Sequence, residues 1–331
     1  MRLARGLAIS CLALCLAQCS SPQSGDETSQ ASTLTETCDV EFIILGAGQD
    51  AGAPQIGNPD DPAWDNSALA LTPTSAALVD HRAETRYLFE ATPQITAQLN
   101  LLDDLAPSDN GPLGLSGVFL THAHIGHYAG LMFFGREAAG TRDLDVYVMP
   151  RMANYLESNG PWSQLVTLEN ISLNVLENKT AVTLSPNITV TPLQVPHRDE
   201  FSETVGYVIS GPTKSALFLP DIDDWDRWES EYGQSLEDII AQVDYAFVDA
   251  TFFDDTELPG RDMSLIPHPR VVDTMYRVIN NKAVKDGPQR VIFIHYNHTN
   301  PIRDPDSPLR LAVLNAGFNI ANAGDIFCLS D

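Results

Sequence analysis

The stretch Val118-Phe119-Leu120-Thr121-His122-Ala123-His124-Ile125-Gly126-His127 decides how the rest of the chain is read. An apolar run is followed at once by three of the chain's eight histidines within six positions. His122 and His124, two apart on an extended or turning backbone, can aim both imidazoles at one ion, while His127 opens a following helix and can face a second. Core packing accounts poorly for such a cluster, because each buried ring needs a polar partner. A metal site satisfies all three, with or without catalysis.

Further ligand candidates stand at the ends of separate apolar runs. His197 follows Val190 to Pro196, Asp221 follows Leu217-Phe218-Leu219-Pro220, and His295 follows Val291 to Ile294. Taken singly, a histidine or aspartate at a strand end is more often a turn residue or a satisfied surface group. Taken with the cluster, they read as side chains gathered by loops at one edge of a rigid sheet.

Strand-like runs also occur at 40–45, 76–79, 87–89, 117–120, 146–149, 188–195, 205–209, 216–219, 245–248, 291–294 and 325–329. Helical patterns fit 95–102, 130–138, 151–159, 236–242, 270–280 and 308–316. Two sets of strands with helices interleaved predict two packed sheets flanked by helices, an α/β protein of αββα sandwich type. The glycine-rich loop from Gly46 to Gly57 is no dinucleotide fingerprint, since no helix pattern follows to receive a pyrophosphate.

His-x-His-x-x-His followed by single His, Asp and His residues at strand ends resembles the metallo-β-lactamase superfamily, over about residues 40 to 329. The resemblance implies one metal site from His122, His124 and His197, a bridging Asp221, and a second site from His127 and His295. The family usually carries Asp just before the third clustered histidine, where this chain has Gly126. Asp50, Asp223 and His298 are the substitutes to inspect for that carboxylate. Gly46-Ala47-Gly48 with Pro54-Gln55, Asp249-Ala250-Thr251-Phe252, Arg261-Asp262-Met263 with His268-Pro269, and the run His295 to Pro301 look like the coenzyme PQQ synthesis protein B branch. That branch generally lacks the intact histidine cluster and an export leader. The acid-Ala-Thr-Phe run and His268 also resemble loops of tRNA 3′-processing endonucleases and cyclic phosphodiesterases. This implies His268 as general acid and Asp249 as its orienting partner, against a reading in which Asp249 begins a turn and His268 packs between prolines.

The flanks add a cellular setting. Arg2 and Arg5 precede an apolar run from Leu7 to Ala17, the layout of an export signal over residues 1–18. Leu16-Ala17-Gln18-Cys19 resembles a bacterial lipobox, with Cys19 as lipid site; a plain signal peptide is the alternative. Residues 20–37 hold almost nothing apolar and read as a tether, so that 19–37 links an anchor to a domain over 38–331. Loss of Arg2 and Arg5 with the leader takes the net charge two units below −25. So acidic a surface repels polynucleotides and disfavours a nucleic-acid substrate. With Cys11 and Cys15 in the leader, Cys38 and Cys328 remain, either joined in a disulfide suited to an oxidising compartment or as two buried thiols.

The expected function is metal-dependent hydrolysis, with metal-activated water attacking a small ester, lactam, thioester or phosphodiester substrate on one or two Zn2+ ions. The rivals are an iron-dependent oxygenase or PQQ-biosynthesis-like protein, since this ligand set also suits iron, and a non-catalytic metal- or ligand-binding lipoprotein of the envelope. Trp225, Trp228 and Tyr232 read as core at helical spacing, and Asp223, Asp224 and Asp226 as a solvated acidic turn.

Overall fold

The computed structural model describes residues 38–108, 110, 113–281 and 287–330. The leader, Cys19 and the tether fall outside the described residues. In chain order the strands are β1 (Val40–Gly46), β2 (Ser75–Asp80), β3 (Thr85–Phe89), β4 (Gly117–Phe119), β5 (Leu144–Val148), β6 (Ile171–Val175), β7 (Val182–Ser185), β8 (Ile188–Gln194), β9 (Val205–Ser210), β10 (Ser215–Leu219), β11 (Tyr245–Asp249), β12 (Val291–Ile294), β13 (Asn319–Ile320) and β14 (Ile326–Cys328). They form two seven-stranded sheets, ordered β14-β1-β2-β3-β4-β5-β6 and β13-β12-β11-β10-β9-β8-β7. Both are mixed: β14-β1-β2-β3 and β7-β8-β9-β10 pair antiparallel, β3 to β6 and β10 to β13 parallel. With helices flanking the sheets, this is the αββα sandwich of the metallo-β-lactamase fold.

Alternation in β1 shows why the layers form. Phe42 and Ile44 enter the core between the sheets, whereas Ile43 and Leu45 enter a second core beneath the helix Ile95–Leu105. A strand buried on both faces reads as a continuous apolar run. Phe42 spans the two sheets, its ring 5.6 Å from that of Phe89 and 5.3 Å from that of Phe247. Truncating such a buried ring costs about 3–5 kcal/mol.

The pairing directions place the C-terminal ends of β1, β3, β4, β8, β10, β11 and β12 along one rim of the sandwich. Asp50, Glu90, His122, His197, Asp221, Asp249 and His295 all follow or end these strands. Cys38 and Cys328 are joined in a disulfide with Cα atoms 5.7 Å apart, so the free-thiol alternative falls away.

Several local expectations need correction. Residues 130–138 hold a short 3-10 helix, Ala129–Phe134, rather than a longer α-helix. The strands β6, β7 and β13 and the helix Trp162–Thr167 were not anticipated. Trp225 and Trp228 are buried on the helix Trp225–Tyr232, as their spacing implied. Asp223 is not solvated: it is buried and hydrogen-bonded to His197.

Candidate metal centre

Among the described residues three groups of ligand atoms converge at this rim and share Asp221; two are rich in histidine, and the third is Asp221, Asp249 and His268. In the first, His122 Nε2 lies 2.8 Å and His197 Nε2 3.2 Å from His124 Nδ1. Asp221 Oδ2 lies 3.4 Å from both His122 Nε2 and His197 Nε2. The second group holds His127, His295, Asp221 and Asp50. Here His127 Nε2 stands 3.2 Å from Asp50 Oδ1 and 3.6 Å from Asp221 Oδ2, and His295 Nε2 stands 3.8 Å from Asp221 Oδ2. Four ligands about 2.1 Å from one ion in a tetrahedron sit roughly 3.4 Å from each other. Both groups fit that spacing.

The chemistry of the atoms fits a cation as well. Asp50 Oδ1, Asp221 Oδ1, His127 Nε2 and His295 Nε2 are buried without a hydrogen-bond partner among the described residues. Buried polar atoms left in this way cost free energy unless something satisfies them. A divalent cation in the second group would do so for Asp50 Oδ1, His127 Nε2 and His295 Nε2.

Three of the rings, those of His197, His122 and His295, are aimed by a hydrogen bond on the far side. His197 Nδ1 donates to Asp223 Oδ1 at 2.9 Å. His122 Nδ1 donates to Thr121 Oγ1 at 2.8 Å, and that hydroxyl donates in turn to the fully buried Glu90. His295 Nδ1 donates to Thr251 Oγ1 at 3.0 Å, and Thr251 donates to Asp249 Oδ1 at 2.7 Å. His127 Nδ1 lies 3.3 Å from Glu90 Oε1. Such partners fix which nitrogen faces the ion and raise its basicity. Glu90, Thr121, Asp223 and Thr251 had not been singled out from the sequence as supports for these rings. The rule applied to His197 and His295, a polar residue directly after a buried strand, would have found Glu90 behind Phe89.

Electrostatics follow the crowding. Burial, with His127 close by, holds His122 well below the ordinary imidazole range. Burial acts to raise Asp221, but the charges of His197 and His295 hold it well below the usual carboxylate range. For His127, burial acts downward and is outweighed by Glu90 and Asp50, which hold it well above.

His268 stands beside this centre. Its Nδ1 is 2.8 Å from Asp249 Oδ2 and 3.4 Å from Asp221 Oδ1. Asp249 is fixed in turn by the backbone N–H groups of Ile222 and Thr251. Burial lowers the His268 pKa, but Asp249 and Asp221 more than offset it, raising it to about 9. A cavity of about 730 Å3 opens here, lined by Asp223, Trp225, Arg227, His268, Arg270 and Tyr276 among others.

All eight residues singled out from the sequence, His122, His124, His127, His197, Asp221, Asp249, His268 and His295, thus meet at one rim. Of the three substitutes for the missing carboxylate, only Asp50 reaches the second group. Asp223 supports His197 instead, and His298 hydrogen-bonds to its neighbour Asn297.

The family profile described as the Beta-lactamase superfamily domain matches residues 85–296. The chain is similar to coenzyme PQQ synthesis protein B of Methylorubrum populi, 25% identical over 327 residues, which cover 86% of this chain and 98% of that protein. Among solved structures it is similar to Zn(2+)-bound PqqB from Methylobacterium extorquens, at a TM-score of 0.68 and 20% identity over 87% of this chain and 99% of the other. A new diphosphatase from the PhnP family superposes with a TM-score of 0.58 at 18% identity, over 87% of this chain and 96% of that one.

Proposed function

The chain belongs to the Beta-lactamase superfamily, and from that premise we propose that it is a metal-dependent hydrolase of small ester, lactam, thioester or phosphodiester substrates. The observation that carries the proposal is the joint geometry of the rim. Ligand atoms of His122, His124, His197 and Asp221 all lie within 4.8 Å of one another, and His268, hydrogen-bonded to Asp249, lies 3.4 Å from Asp221. Zinc suits these nitrogen and oxygen donors, and a bound divalent cation supplies Lewis acidity and activates water near neutral pH.

The protein's own groups do the remaining work. With Nδ1 committed to Asp249, His268 keeps Nε2 to carry a proton, and its side chain lines the adjoining cavity. A general acid there transfers that proton to the departing alcohol, thiol or amine, a contribution of about 10²–10⁴-fold. Asp249 fixes the ring and its charge favours the protonated form. Thr121, Glu90, Asp223 and Thr251 keep the ligand rings from rotating as substrate enters.

The test is to purify the protein, measure its metal content, and assay ester, lactam, thioester and phosphodiester substrates with and without chelator. Chelator-sensitive turnover of one class is the expected result. Bound metal with no turnover of any class would count against hydrolysis.

A second reading is a PQQ-biosynthesis-like role, favoured by the similarity to coenzyme PQQ synthesis protein B along 98% of that relative, with an iron-dependent oxygenase resting on the donor set alone. Anaerobic purification with metal analysis and oxygen uptake separates it from hydrolysis. For location, the reading is an exported lipoprotein held to the membrane through Cys19, facing the periplasm or cell exterior. The Cys38–Cys328 disulfide supports an oxidising compartment. Cell fractionation with Cys19→Ala checks it: release from the membrane fraction is expected, and unchanged partitioning would reject the anchor.

A further inference from the structure

We propose that Asp50, carried on the loop after β1, is the carboxylate ligand of the second metal group, and that Gly126 is the space that admits it. The proposal rests on the metal-binding part of the functional reading and is independent of which bond the protein cleaves.

Three observations carry it. First, Asp50 Oδ1 is 3.2 Å from His127 Nε2 and 3.9 Å from His295 Nε2, and it is buried without a hydrogen-bond partner although its side chain is 36% exposed overall. One oxygen points inward at the two histidines while the rest of the residue reaches the rim. Second, the backbone bends to deliver it. Asp50 adopts a φ of 26°, which L-residues other than glycine rarely take. The loop is pinned beside His295 by the Gln49 N–H donating to the Tyr296 carbonyl at 3.0 Å. His295 and Glu90 also have positive φ, 64° and 71°. Strained backbone persists where surrounding structure enforces it, commonly at functional sites.

Third, positions 50 and 126 compete for one volume. A Cβ added to Gly126 would sit 2.5 Å from Asp50 Cα and 2.7 Å from Asp50 Oδ1. The first neighbour is backbone and cannot swing away. A carboxylate on residue 126 and this placement of Asp50 are therefore mutually exclusive. The chain has placed its acid on a loop distant in sequence and left glycine where the acid would collide.

The experiment counts ions rather than turnover. Full-length protein is stripped with chelator, titrated with Zn2+ by calorimetry, desalted and analysed for zinc per chain. Wild type is expected to hold two ions. Asp50→Ala and Asp50→Asn are expected to hold one, with the second ion's affinity reduced by about 100-fold or more, since even a partner that merely supports a ligand is worth 10–100-fold. Gly126→Ala, whose Cβ would meet the backbone of residue 50 at 2.5 Å while leaving every ligand side chain intact, is expected to lose the second ion as well. Two ions at unchanged affinity in Asp50→Ala and Asp50→Asn would overturn the assignment. Two ions at unchanged affinity in Gly126→Ala would overturn the shared-volume half. Wild type binding no ion would instead remove the metallohydrolase reading itself.

Discussion

The two ligand groups are built in opposite ways although they share Asp221. The first takes His122 and His124 from one extended segment, so local geometry places half of its ligands, while His197 and Asp221 stand on the loops after β8 and β10. The second draws Asp50 from the loop after β1, His127 from the short helix Ile125–Tyr128 and His295 from the residue after β12, and of these Asp50 and His295 have left-handed backbone. A site assembled locally tolerates small shifts of the sandwich. One assembled from distant loops depends on the packing that clamps them, here the bridge between Gly48 and Tyr296. The second group should therefore be the weaker and the more easily emptied.

The contrast can be broken most forcefully at its shared member. Asp221→Asn is expected to empty both groups and lower turnover by about 10³-fold or more, well beyond the 10–100-fold of a supporting contact; zinc content together with kcat/KM checks this. Next in size, His268→Ala is expected to lower kcat by about 10²–10⁴-fold while zinc per chain stays at the wild-type value. Loss of metal in that variant would move His268 from proton transfer to ligation.

Smaller effects sharpen the comparison. Asp223→Asn supports only the first group and Thr251→Val only the second, so each should weaken its own ion by about 10–100-fold, as read by competition with a chromogenic chelator. A pH profile gives a further check. His268 is raised from 6.5 to about 9, so turnover that needs its proton should fall as pH rises through about 9. The same shift stabilises the fold fully below about 6.5, and that contribution is lost as pH rises through 9. In Asp249→Asn the descending limb of turnover should move toward 6.5.

Legibility in the sequence followed the same division. His122, His124 and His127 announce themselves by spacing, and His197, Asp221 and His295 by following apolar runs, because buried strands write their ends into the sequence. Asp50 was visible only as one of three substitutes, since its placement is a property of the β1 loop against residue 126 and not of any local pattern. Glu90 directly follows β3, so the rule that marks His295 after β12 reaches it too, although no residue around it signals its role. Of the elements, β6 and β7 escaped notice because they are partly exposed and carry Ser172, Asn174 and Thr183 among apolar residues. β13 has two residues, too few for a period. The resemblance to the superfamily supplied what spacing could not, namely which distant residues share an ion.

The bond between Cys38 and Cys328 turns everything from the first strand to the last into a covalent ring. A protease cutting one loop within that ring would leave a single species by mass under non-reducing conditions, and two fragments only after a thiol reagent. New termini could likewise be opened at a surface turn without releasing β1 from β14, whose pairing the cross-link holds in register.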